Sequence, residues 1–305
     1  MGMTPVEGRM TIHIGRREFI VALCGAAFYC IVMSAIAANA QPLEGRLQTV
    51  HDTATLRIAY RTDSRPFSYL DERGRPTGYT IELCEHIAKF LEREFALPAL
   101  AIKWVLVDTR TRFEAITNGS ADLECGSTSV SLSRMKIVDF SSLVFADSTG
   151  VVVKSATGIN NFESMAGKSI AVIPGTTNAK AIRDQLQQRK LEARLVDFRD
   201  REEAFAALIR DAVDGVATDK LVLRSLMQRA NSRDFTLLPE DLSFEPFAIV
   251  LPRGDWAFRL AINASLARIF RSGNVIQIYN KYFGDIGFHP SIWMGAVFTF
   301  GGLSE

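Results

Sequence analysis

Short β-branched runs and amphipathic stretches alternate through most of this chain, and they do so in two separate sets. The first set runs TLRIAY (55–60), an amphipathic stretch from Tyr79 to Phe95, AIKWVLV (101–107), a shorter helical pattern around Arg112 to Asn118, and ADLEC (121–125). Period-2 and period-3.6 patterns in that order predict βαβαβ, whose crossover helices make the strands parallel. The second set begins with KSIAVI (168–173) and continues through a helix from Thr177 to Arg189, ARLVDF, a helix over 201–210, DGVAT and a helix over 219–230. The prediction is an α/β protein of two lobes, each a mostly parallel sheet flanked by helices. SSLVFADSTGVVVK is apolar and long enough to pass between lobes, and LPEDLSFEPFAIVLPRG reads as the return. Two hinge strands should therefore join lobe 1 (41–147 and 244–305) to lobe 2 (148–243), with helices near 255–271 and 274–283 packing back on lobe 1.

Residues 1–40 read as an export signal. Arg16 and Arg17 precede a long run without charge that closes on Ala38-Asn39-Ala40, so cleavage would start the mature chain at Gln41. RREF followed by Ile resembles the twin-arginine export pattern, although Gly15 replaces the usual Ser or Thr, so both that route and the general secretory route stay open. A retained membrane anchor is the alternative reading, since an apolar run of about twenty residues can span a bilayer. Cys24 follows Leu23 rather than a small residue, which argues against lipid modification. No later segment is long and apolar enough to cross a membrane.

Composition narrows the function. A chain of 305 residues with 48% hydrophobic side chains can bury a sizeable core. Without residues 1–40 it carries 32 basic against 32 acidic residues, so it lacks the surplus of cations that phosphate binding needs and nucleic acid is not expected as a partner. Only Cys84 and Cys125 remain after processing, and in an oxidising compartment they are expected to pair, although lone buried cysteines are also common. His13, His51, His86 and His289 have no metal-ligand spacing, and there is neither a phosphate-cradling glycine loop nor a G-x-S-x-G elbow, so no metal, cofactor or catalytic residue is expected.

What the chain offers instead are arginines and hydroxyls just beyond predicted strands, where open α/β sheets bind ligands. Arg61 follows the first strand; Thr109 and Arg112 follow the second. CGSTSVSLSR follows the third, and its hydroxyls, among them Ser127 and Ser129, with free N–H groups and Arg134, can hold a carboxylate. In the second set, Thr176 and Thr177 open a helix and form an anion seat, while Asp219 ends a strand where it can take an ammonium. Each signal has an ordinary alternative: a solvated arginine, a hydroxyl turn, or a helix cap.

The joint order of R-x-x-x-x-P-F-S-Y from Arg61, ECGSTS with Arg134 and DFS, GTT at 175–177, and Asp219 resembles the periplasmic amino-acid-binding proteins of ABC importers, closest to their glutamate/aspartate-binding branch. The likeness spans about residues 54–285. It implies a two-lobed periplasmic binding protein fold of type II and a monomer that closes on its ligand and meets an inner-membrane ABC permease. It further implies that Ser127, Ser129, Arg134 and Thr177 hold the α-carboxylate and Asp219 the α-ammonium, while Arg61, Thr109 and Arg112 surround a side-chain carboxylate. Arg201 stands where that branch commonly has His, which leaves the side-chain length open. The implied function is capture of an acidic amino acid in the periplasm, without catalysis. The rivals are a sensor module for a membrane receptor and an enzyme resembling cyclohexadienyl dehydratase.

Overall fold

The computed structural model describes residues 43–230, 233–284, 288 and 292–304; the predicted export signal lies outside them. Residues 44–305 form one compact unit. The chain enters it through helix α1 (Gly45–Thr53) and runs through strand β1 (Thr55–Tyr60), the hairpin β2 (Tyr69–Leu70) and β3 (Pro76–Thr77), and helix α2 (Tyr79–Glu94). Strand β4 (Ala101–Leu106), helix α3 (Arg112–Thr117), strand β5 (Leu123–Glu124) and strand β6 (Asp139–Asp147) follow. Then come β7 (Thr149–Lys154), β8 (Ser169–Val172), α4 (Thr177–Arg189), β9 (Arg194–Asp197), α5 (Arg201–Ile209), β10 (Gly215–Asp219) and α6 (Lys220–Arg229). The last elements are β11 (Phe235–Leu237), β12 (Glu245–Leu251), α7 (Trp256–Arg271), α8 (Asn274–Phe283) and α9 (Ile292–Gly301).

Two five-stranded sheets result, in the orders β4-β1-β5-β12-β6 and β11-β7-β10-β8-β9. In the first, β1 lies parallel between β4 and β5 (Thr55 opposite Ala101, Ile58 opposite Leu123), and β12 runs antiparallel between β5 and β6. In the second, β8 lies parallel between β9 and β10, and β7 runs antiparallel between β10 and β11. The chain passes from the first sheet to the second between Asp147 and Thr149 and returns between Leu237 and Glu245. The fold is thus the mixed α/β, two-sheet architecture with two connecting passages that the alternation predicts.

Its core in the first half is aromatic. Phe67, Tyr79, Phe145, Phe247, Tyr279 and Phe283 meet edge-on, tilted or stacked, and the Tyr79 hydroxyl donates to the Val144 carbonyl at 2.9 Å, so its burial leaves that oxygen paired. Gly78 makes this possible: at φ 131°, a Cβ would stand 2.3 Å from the Phe67 carbonyl oxygen. Helix α2 buries Leu83, Ile87 and Leu91 at helical spacing, and its Cys84 is bonded to Cys125 beyond β5, with Cα atoms 6.6 Å apart.

Differences from the sequence expectation have local causes. The strand predicted over 121–125 shrinks to two residues because the Asp122 carboxylate, not a strand carbonyl, accepts the Arg57 N–H at 2.8 Å. Helix α1 and helix α9 were not expected: α1 buries only Leu47 and Val50, and α9 is so uniformly apolar that it shows no period.

Candidate functional site

The parallel strands of the two sheets end toward a shared cleft, and most of the predicted residues follow those ends. Arg61 comes directly after β1, where Ser68 pins its backbone by accepting its N–H at 2.9 Å and donating to its carbonyl at 3.1 Å. Its guanidinium is fully buried and grips Asp63 through Nε at 3.0 Å and Nη2 at 2.8 Å, with Thr109 Oγ1 at 3.4 Å from Nη2. Arg112, on the first residue of α3, gives one bond from Nη1 to Thr128 Oγ1 at 2.9 Å. Arg134 opens a short turn between β5 and β6; its Nη1 donates to the Ser129 carbonyl at 2.7 Å and its Nη2 to the Gly175 carbonyl, across the cleft, at 3.2 Å. Arg112 and Arg134 both lie over the ring of Phe113, at 4.8 and 5.3 Å from its centre.

The other side supplies Arg201, Asp219 and the two threonines. Arg201 is 1% exposed and reaches Asp63 at 3.3 Å, Ser64 Oγ at 3.1 Å, Thr218 Oγ1 at 2.7 Å and Asp219 at 3.1 Å. It therefore ties the loop after β1 to the end of β10. Asp219 also accepts from Asn178 at 2.9 Å and from Ser127 Oγ at 3.5 Å. Thr177 Oγ1 donates to Glu245 at 2.6 Å, and Ser129 Oγ donates to the same oxygen at 2.5 Å, so one carboxylate of β12 joins hydroxyls from both sides. Thr176 stands apart: its hydroxyl donates to the Ile173 carbonyl at 2.7 Å and accepts the Ala179 N–H at 3.0 Å, capping α4.

Three carboxylates of this cleft, Asp63, Glu124 and Glu245, escaped the sequence reading, and a fourth, the expected Asp219, is already committed to Arg201 and Asn178. Glu124 and Glu245 were visible only as acids within apolar runs and Asp63 only as a polar loop residue, with nothing in the linear order to fix their partners. They change the charge count. The resemblance gives Arg61 and Arg112 to a ligand carboxylate and leaves the part of Arg201 open. Arg61 and Arg201 are instead matched by Asp63 and Asp219, and among the described residues neither Arg112 nor Arg134 has a carboxylate within 4.0 Å.

Protonation follows this pairing. Burial would raise the Asp63 carboxyl, but Arg61 and then Arg201 outweigh it and hold it below the ordinary range. Burial, only partly opposed by Arg201 and reinforced by Glu245, raises Asp219. Arg112 is pushed well below the usual arginine value, first by burial and then by Arg134. An anion between Arg112 and Arg134 would relieve that repulsion.

Comparison with known proteins gives four likenesses. The family model for bacterial extracellular solute-binding proteins, family 3, matches residues 56–285. The chain is 30% identical over 246 residues to the L-glutamate/L-aspartate-binding protein of Pseudomonas aeruginosa, covering 80% of this chain and 82% of that one. It is 25% identical over 247 residues to an ABC transporter glutamine-binding protein of Bacillus subtilis, covering 80% and 87%. Among solved structures, an ancestral amino acid-binding protein described as a precursor of cyclohexadienyl dehydratase superposes with a TM-score of 0.69 at 25% identity, covering 78% of this chain and all of that one.

Proposed function

The chain belongs to the bacterial extracellular solute-binding proteins of family 3, and from that premise we propose that it captures an acidic amino acid, glutamate or aspartate, for an inner-membrane ABC permease. The observation that carries this reading is the pair Arg112 and Arg134: two buried guanidiniums on one aromatic ring, neither matched by a carboxylate among the described residues. Burying a guanidinium is costly without a partner, and two such groups suit a ligand with two carboxylates. Arg134, beside Ser129 and Thr177, takes the α-carboxylate. Arg112, with Arg61 and Thr109, takes the side-chain carboxylate, and Asp219 with Ser127 faces the α-ammonium.

The name of the Pseudomonas aeruginosa relative supports an acidic ligand. The proposal includes a periplasmic, monomeric protein released from residues 1–40, and it assigns no catalytic step. Titration of two variants tests it. Arg134→Ala should abolish binding of every amino acid. Arg112→Ala should weaken glutamate and aspartate by about 2 kcal/mol or more while sparing glutamine and asparagine. An acid-over-amide preference untouched by Arg112→Ala would sink the assignment.

A further inference from the structure

Glu124 ends β5, the central parallel strand of the first sheet, and its side chain is fully buried. Both of its carboxylate oxygens are without a hydrogen-bond partner, and so are two buried donors of the same cleft, Arg61 Nη1 and Arg112 Nε. A buried carboxylate left this way is rare, because its desolvation goes uncompensated. Glu124 is also close enough to act electrostatically on Arg61, Arg112 and Arg134, yet among the described residues no arginine nitrogen lies within 4.0 Å of it. Gly126 holds it there: a Cβ at that position would stand 2.4 Å from Glu124 Oε1 and 3.2 Å from Arg61 Cδ.

We propose that Glu124 contacts the bound amino acid and sets its acid-over-amide preference. This rests on the reading that the cleft takes an amino acid with a polar side chain. An acceptor-only carboxylate beside free guanidinium donors is a mixed seat. A ligand carboxylate entering it gains Arg112 and Arg61 but meets a like charge in a desolvated site. A ligand amide places its C=O on the free Nη1 of Arg61 and its N–H on Glu124. Glu124 therefore holds down the preference for acids that the arginines alone would impose.

The test is titration of ligand-stripped wild type, Glu124→Gln and Glu124→Asp with L-glutamate and L-glutamine, alongside thermal melts. Glu124→Gln should raise the ratio of glutamate to glutamine affinity by about tenfold or more, and Glu124→Asp, which keeps the charge, should stay within about threefold of wild type. A ratio within about twofold of wild type in folded Glu124→Gln overturns the proposal. A wild type that prefers glutamine, with the ratio still shifted in Glu124→Gln, would overturn the acidic reading and leave the role of Glu124 standing. A crystal structure of the wild type with whichever amino acid it binds is independent of the variants' folding. A ligand donor within hydrogen-bond distance of Glu124 is expected, and a ligand that does not touch Glu124 overturns the proposal.

Discussion

Replacing Arg201 by Gln removes the guanidinium that ties Asp63 to Asp219 across the cleft, and the structure says which carboxylate suffers. Asp63 keeps its two bonds from Arg61, whereas Asp219 keeps only Asn178 and the long contact from Ser127. Removing one partner of a buried ion pair costs about 3–5 kcal/mol, and with Asp63 still paired the lower figure applies, about 3 kcal/mol. For a unit of this size that is a drop in Tm of about 6–12 °C. The deficit should depend on pH in a definite direction. Asp219 already has a raised pKa, and losing Arg201 raises it further. A carboxyl with a raised folded-state pKa binds more protons folded than unfolded, so its penalty is absent below the unfolded value and grows as pH rises. Thermal melts should therefore show a smaller loss near pH 5 than near pH 8, and Arg201→Gln combined with Asp219→Asn should recover most of it. Equal losses at both pH values, or a double variant no more stable than the single one, would mean that Asp219 does not carry the penalty.

Other consequences are simpler. The Cys84–Cys125 bond spans 41 residues of sequence, so its reduction should lower unfolding stability by about 4 kcal/mol in the chain-entropy model, measured by denaturant titration with and without reductant. At the passage between the sheets, burial and then Asp219 push Asp147 up to about 8, although it accepts the Ser148 and Leu221 N–H groups. By the same sign, its contribution to stability falls as pH rises from about 4 toward 8, and Asp147→Asn should flatten the pH dependence of Tm across that window.

The fold was legible because the two periods that distinguish strand from helix recur in this chain with few interruptions. Helix α4 begins at the expected Thr177 since Thr176 is a cap readable in GTT. Where a side chain takes over a backbone partner, as Asp122 does for Arg57, the pattern overstates the strand. The site was half legible. Arginines and hydroxyls announce themselves by following strands, so Arg61, Arg112, Ser129 and Thr177 could be named one by one. Their pairing could not be read, because it depends on acids far apart in sequence: Glu245 accepts from Ser129, 116 positions away, and Arg201 reaches Asp63, 138 positions away. That pairing decides which guanidiniums are left for a ligand. Only the folded chain reveals that Arg201 is already matched.

Two arginines without a carboxylate partner should select an amino acid with two carboxylates. Calorimetric titration of the ligand-stripped protein with each of the standard amino acids measures that selection. The tightest binding is expected for glutamate or aspartate, with asparagine and glutamine weaker and basic amino acids without measurable heat. Tightest binding of a basic or an apolar amino acid, with the acids silent, would contradict it.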